Sequence, residues 1–248
     1  MSGVRPEHVG RGDVSAGRSP TERRLVRYLF GERVAHLFAA ASYLYLLLTG
    51  LAFWTPALFW LAIVLGGGFL SRVLHVWVGF AFAVVVGWMY ATWRREMKTT
   101  AADRAWRGAI RQYIRNEDER VPPSGKFNFG QKQFFWMMVW GGLALLVSGV
   151  VLWLPHWVPP ALAFVRPAAV LVHAVATLAT IAGFIIHVYM GVAVEPGSLR
   201  AIIGGEVTEA WARQHHALWA DEVGASASAD GSRREMKPGV AGDGASRH

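Results

Sequence analysis

The chain has 248 residues, 53% of them hydrophobic, no cysteine, and a formal net charge of +8. Several apolar runs, each about twenty residues long, place it among integral membrane proteins, as one helical domain with short polar extensions. The positive charges lie between and beyond those runs, where topology explains them better than nucleic acid does, and the lack of cysteine excludes a thiolate metal site, an iron–sulfur cluster held by this chain and covalent haem attachment.

Residues 1–26 are charged and contain Gly, Ser and Pro, with no short apolar core before a small-residue cleavage site. A cleaved signal peptide is not expected, and the segment reads as a disordered tail. A first membrane span is predicted over 34–53, VAHLFAAASYLYLLLTGLAF, with His36 at its start. The following WTPALFWLAIVLGGG suits an interfacial loop. A second span, 71–93, begins SRVLHVWVGFAF and carries His75 one turn in from the opposite surface. In the polar segment 94–132, Trp106, Ile110 and Ile114 fall on one face of a possible surface helix. A third span, 133–154, contains Gly141, Gly142 and Gly149 and no histidine. After a Pro-rich loop, the fourth span, 167–192, carries His173 and His187. From 220 to 248 the chain is polar and low in aromatics, and a second disordered tail is expected. The membrane domain is therefore 27–219.

His173 and His187 are fourteen positions apart, which is roughly 21 Å along a helix and within about 40° of one face. Seven Arg precede the first span, ten Lys or Arg fill 94–132 and six follow the fourth span, against only Arg72 and Arg166 in the other two connections. The positive-inside rule then puts both termini and the middle segment in the cytoplasm. With that topology His36 and His187 lie near the cytoplasmic face, and His75 and His173 near the outer face.

A single intramembrane histidine reads as a hydrogen-bonded core residue or a proton relay. Two depth-matched pairs, each drawn from two helices, point instead to axial ligation of two b-type haems stacked in an all-α, four-transmembrane-helix bundle. Zinc would require three or four ligands at one point, usually with carboxylate, and the spans carry essentially none. Gly79, Gly183 and Gly191 either make room for a macrocycle or serve close helix packing. Arg72 and Arg166 either pair with haem propionates or snorkel at the interface. His8, His156 and His248 fall outside haem-binding depth. No catalytic side chain is assigned.

The stretches RVAHLFAAASYLYLLLTGLAF, SRVLHVWVGF, SGKFNFGQKQFFW, VLVHAVATLATIAGFIIHVYMG and GSLRAIIGGEVTEAWARQHHALW resemble the cytochrome b, or gamma, subunit of respiratory formate dehydrogenases. That group lies within the wider set of di-haem cytochromes b. The resemblance extends over about residues 27 to 219. It implies that His75 and His173 ligate the outer haem and His36 and His187 the cytoplasmic one, the same grouping that depth suggests. It further implies a quinone site, for menaquinone or ubiquinone, at Asn128, Gly130 and His187. Without it, Asn128 is a turn residue or a helix cap. His215 and His216 match as well, and their plain reading is a surface helix that contacts a partner.

The implied activity is electron transfer across the bacterial inner membrane. An iron–sulfur (beta) subunit donates on the outer face, and the quinone pool is reduced on the cytoplasmic side. Formate oxidation belongs to a separate alpha subunit with a molybdenum or tungsten cofactor. The rival readings are a cytochrome b serving a hydrogenase or another molybdo-oxidoreductase, and a haem-free membrane anchor or transporter with structural histidines.

Overall fold

A computed structural model describes residues 23–115 and 121–235, without the side chains of Tyr113 and 227–235. Most of the first tail, 1–22, and the end of the second, 236–248, lie outside the described residues. Four long helices dominate: α1 Phe30–Trp54, α3 Gly68–Trp93, α6 Phe129–Trp153 and α7 Val165–Tyr189, the last continued by a π-helical turn, Met190–Val194. In lipid a helix is the way an open chain satisfies its own backbone, and these sequences offer uninterrupted apolar runs for it. Each starts two to four residues before the predicted span. Hydropathy marks only the hydrocarbon-crossing part, whereas 25 residues span about 37 Å, more than the roughly 30 Å apolar core, so the polar first turns project into the interface.

Proline and glycine set the ends. Pro56 and Pro155 open 3-10 turns just after α1 and α6. Gly66 and Gly67, with φ of 102° and 96°, turn the chain into α3 through backbone that side chains resist. Between them the expected interfacial loop carries only a short helix, α2 Trp60–Val64. Packing is closest between α1 and α3 and between α6 and α7, and α3 against α6 joins the two hairpins. Phe69, Val84 and Leu171 project outward at 81%, 74% and 65% exposure, an apolar exterior that suits lipid.

One end of the bundle carries a cap, and among the described residues the other end has only the connections 55–67 and 154–164. The cap contains α4 Ala101–Gly108, α5 Ile110–Ile114, α8 Ser198–Gly204, α9 Glu209–His215 and α10 Ala217–Glu235. A strand β1, Arg24–Val26, pairs antiparallel with β2, Glu206–Thr208, placing Leu25 opposite Val207. These two join Ala201, Ala212, Trp219 and Ala220 in one buried cluster, and Trp93, Met97, Phe127 and Phe135 form a second.

Three expectations change here. The surface helix is broken at Ala109, with Trp106 buried and Ile114 exposed, so the three residues do not share one apolar face. The chain expected to lack structure from 220 is helical as far as Glu235, and 24–26 of the first tail form a strand. His216 is fully buried rather than on a surface helix, because an arginine near the chain start reaches it.

Candidate functional site

At the uncapped end, His75 on α3 and His173 on α7 each abut a hydroxyl on the preceding long helix. His75 Nδ1 lies 2.7 Å from Thr49 Oγ1 and His173 Nδ1 2.9 Å from Ser148 Oγ. Each hydroxyl has its one proton directed to its own helix: Thr49 donates to Tyr45 O at 2.8 Å and Ser148 to Ala144 O at 2.6 Å. The oxygen is left as an acceptor, so Nδ1 carries the hydrogen and Nε2 keeps its lone pair free to ligate. A Cβ on Gly50 would sit 3.8 Å from His75 Cε1, and one on Gly149 3.4 Å from His173 Cε1. Both rings thus lie within ordinary contact distance of a glycine on the neighbouring helix.

At the capped end, His36 on α1 and His187 on α7 have ring centres 6.0 Å apart and planes at 52°. The ring of Phe134 stacks on His187 at 4.2 Å and 3°. His36 Nδ1 is buried without a hydrogen-bond partner among the described residues. Midway between the two pairs, Tyr43 packs with Phe82 and Phe184.

The residues beneath this pair are held by the cap. Asn128 is buried and is the N-cap of α6: its Oδ1 accepts from Gln131 N at 2.9 Å, and Gln131 Oε1 accepts from Asn128 N at 3.1 Å. A Cβ on Gly130 would sit 3.5 Å from Asn128 Oδ1 and 3.8 Å from Trp106, so Gly130 faces the cap. Lys132 is ion-paired with Asp103 at 2.7 Å, both side chains 7% exposed or less. Burial raises the Asp103 pKa, but Lys132 and Thr100 outweigh it and hold the carboxyl below its ordinary range. Farther out, His216 Nε2 accepts from Arg27 at 2.8 Å while its Nδ1 donates to Gly125 O at 2.8 Å. That tautomer is neutral, and burial together with the Arg27 guanidinium keeps the pKa well below the usual imidazole value.

Arg72 and Arg166 are exposed near the uncapped end, Arg166 bordering an open proline-lined groove. His156 is exposed in the same region, and His8 and His248 lie outside the described residues. Gly183 is closed by Met137, a packing contact rather than open space, whereas nothing lies within 4 Å of a Cβ on Gly191.

These residues fit haem better than a bare metal ion. Two imidazoles on one metal, with bonds of about 2 Å, have ring centres roughly 6 Å apart, the separation of His36 and His187. Among the described residues no cluster of three His, Asp, Glu or Cys offers a metal-ion site. The residues that sequence reading missed are Thr49, Ser148, Gly50, Gly149 and Phe134. A signal for four of them was present: LLLTG at 46–50 and LLVSG at 145–149 are near-copies, each on the helix preceding a histidine span.

The family model for prokaryotic cytochrome b561 matches residues 27–205. The chain is 34% identical over 200 residues to the formate dehydrogenase cytochrome b556(fdo) subunit of Escherichia coli (strain K12), covering 80% of this chain and 93% of that protein. It is 30% identical over 201 residues to the nitrate-inducible formate dehydrogenase cytochrome b556(Fdn) subunit of the same strain, 81% of this chain and 92% of that one. To the formate dehydrogenase cytochrome b556 subunit of Haemophilus influenzae it is 29% identical over 202 residues, 80% of this chain and 83% of that one.

Proposed function

This chain belongs to the prokaryotic cytochrome b561 family, and from that premise we propose that it is the membrane cytochrome b subunit of a formate dehydrogenase, with both termini in the cytoplasm. It is a multi-pass protein of the bacterial inner membrane that binds haem b, as its family does. We assign it two haems, one at each histidine pair. When bound, haem supplies a one-electron Fe(III)/Fe(II) couple. The chain's own part is ligation and placement: His75 and His173 hold the outer group, and His36 and His187 the cytoplasmic one.

With haem held at both pairs, electrons from an iron–sulfur subunit on the outer face would enter at the His75/His173 site, pass to the His36/His187 site and reduce quinone beside His187, Asn128 and Gly130. Two electrons and two protons from the cytoplasm convert quinone to quinol. Formate oxidation stays with a separate molybdenum- or tungsten-containing catalytic subunit, which this chain also anchors. Because negative charge moves inward while protons are consumed inside, turnover builds membrane potential.

The observation that carries this reading is the approach of His36 and His187, from the first and last spans, to 6.0 Å between ring centres. It is tested by the haem content and dithionite-reduced spectrum of the purified complex. Two b haems per chain are expected, and one in each of His173→Ala and His187→Ala. Absence of b-type bands from the wild type would sink the proposal, and two haems retained in either variant would sink the ligand assignment.

A further inference from the structure

We infer that the hydroxyls of Thr49 and Ser148 are positioning residues that lower the reduction potential at the His75/His173 site relative to the His36/His187 site. The inference rests on the ligand reading above and deepens it. Two independent helix pairs carry the same arrangement. In α1–α3, Thr49 accepts from His75 Nδ1 with Gly50 beside the ring; in α6–α7, Ser148 accepts from His173 Nδ1 with Gly149 beside the ring. A hydroxyl in a membrane helix is satisfied by bonding back to its own helix, and both of these are. The additional bond to an imidazole on another helix is therefore not needed to satisfy the hydroxyl.

Its consequence falls on the ligand. Donation from Nδ1–H to oxygen fixes the tautomer, aims Nε2 and makes the imidazole a stronger electron donor. Stronger donation stabilises Fe(III) over Fe(II), which lowers the potential. Both ligands at this site have that support. At the other site, His36 Nδ1 has no partner among the described residues, and His187 is held by the Phe134 ring, which accepts no such bond. With haem held at both sites, His36 and His187 would leave theirs the better electron acceptor, so that transfer from the His75/His173 site would run downhill, in the direction that supplies quinone.

The test is a potentiometric titration of both haems in the intact complex carrying Ser148→Ala, Thr49→Val or both, with Ser148→Thr and Thr49→Ser as hydroxyl-retaining controls. Each hydroxyl removal is expected to shift the Fe(III)/Fe(II) equilibrium of one haem about tenfold toward Fe(II), about 59 mV upward for one electron. The other haem and both controls should stay at wild-type potentials. A wild type in which the outer haem is the higher-potential one, an unmoved potential, equal movement of both haems, or controls that shift as far as the deletions would each overturn the inference. Haem content separates this from failure of the ligand reading: if His75→Ala and His173→Ala each lose one haem, the ligands stand even when the hydroxyls do nothing.

Discussion

The two ends of the bundle each present a pair of histidines and hold them by different means. At the uncapped end each imidazole is held within its own helical hairpin by a hydroxyl on the preceding long helix, with a glycine beside the ring. At the capped end the pair is drawn from the first and last spans, stacked on Phe134, above a soluble layer with a buried ion pair and a buried Arg–His contact. The first site is locally determined and lies under thin connections. The second depends on tertiary assembly and lies against the polar cap.

The largest expected effects separate the ends outright. His173→Ala should remove one haem and leave quinone reduction without its supply, while His187→Ala should remove the other and also lose the quinone-side group. Absorbance at each b band, read with quinol formation from an artificial donor, distinguishes them. Next, Lys132→Met leaves Asp103 as an uncompensated buried charge and should cost about 3–5 kcal/mol. Thermal unfolding of the solubilised protein measures this, and loss of the capped-end haem should precede loss of the other. Phe134→Ala removes a ring stack worth about 0.5–1.5 kcal/mol. Haem retention under dilution should fall at the His36/His187 site alone.

A subtler contrast is in pH. His216 is held neutral with its pKa well below the ordinary value, so its contribution to stability is full above about pH 6.5 and declines as pH falls below that toward the folded-state pKa. The melting temperature should drop on acidification in the wild type and drop less in His216→Gln. Smallest of all, Arg72→Gln and Arg166→Gln, at exposed positions, should change stability by no more than about 0.5 kcal/mol. A larger change, with a shifted outer potential, would favour propionate pairing over snorkelling.

Much of the membrane part was readable in the sequence. The four spans follow from apolar run length, and the His36/His187 grouping from depth and the basic-residue count. Thr49 and Ser148 stayed hidden because isolated hydroxyls are common in membrane helices and usually satisfy themselves on their own backbone. Only the LLLTG and LLVSG near-repeat sets these two apart. The cap was unreadable for a different reason. Its order comes from partners far apart in the chain, such as Arg27 and His216 or Lys132 and Asp103, and no local periodicity announces them. The helix beyond residue 219 was obscured by its Ala, Ser and Gly content, which resembles a linker.

The pairing of β1 with β2, and the Arg27–His216 bond beside it across 189 positions, also sets an order of construction. Closing so long a loop is entropically costly and requires both ends to exist. The seal therefore forms only after the final span has left the ribosome and entered the bilayer. Each hydroxyl–imidazole contact at the uncapped end needs only one helix pair, whereas the His36/His187 pair needs the first and last spans together. Assembly thus finishes at the capped end.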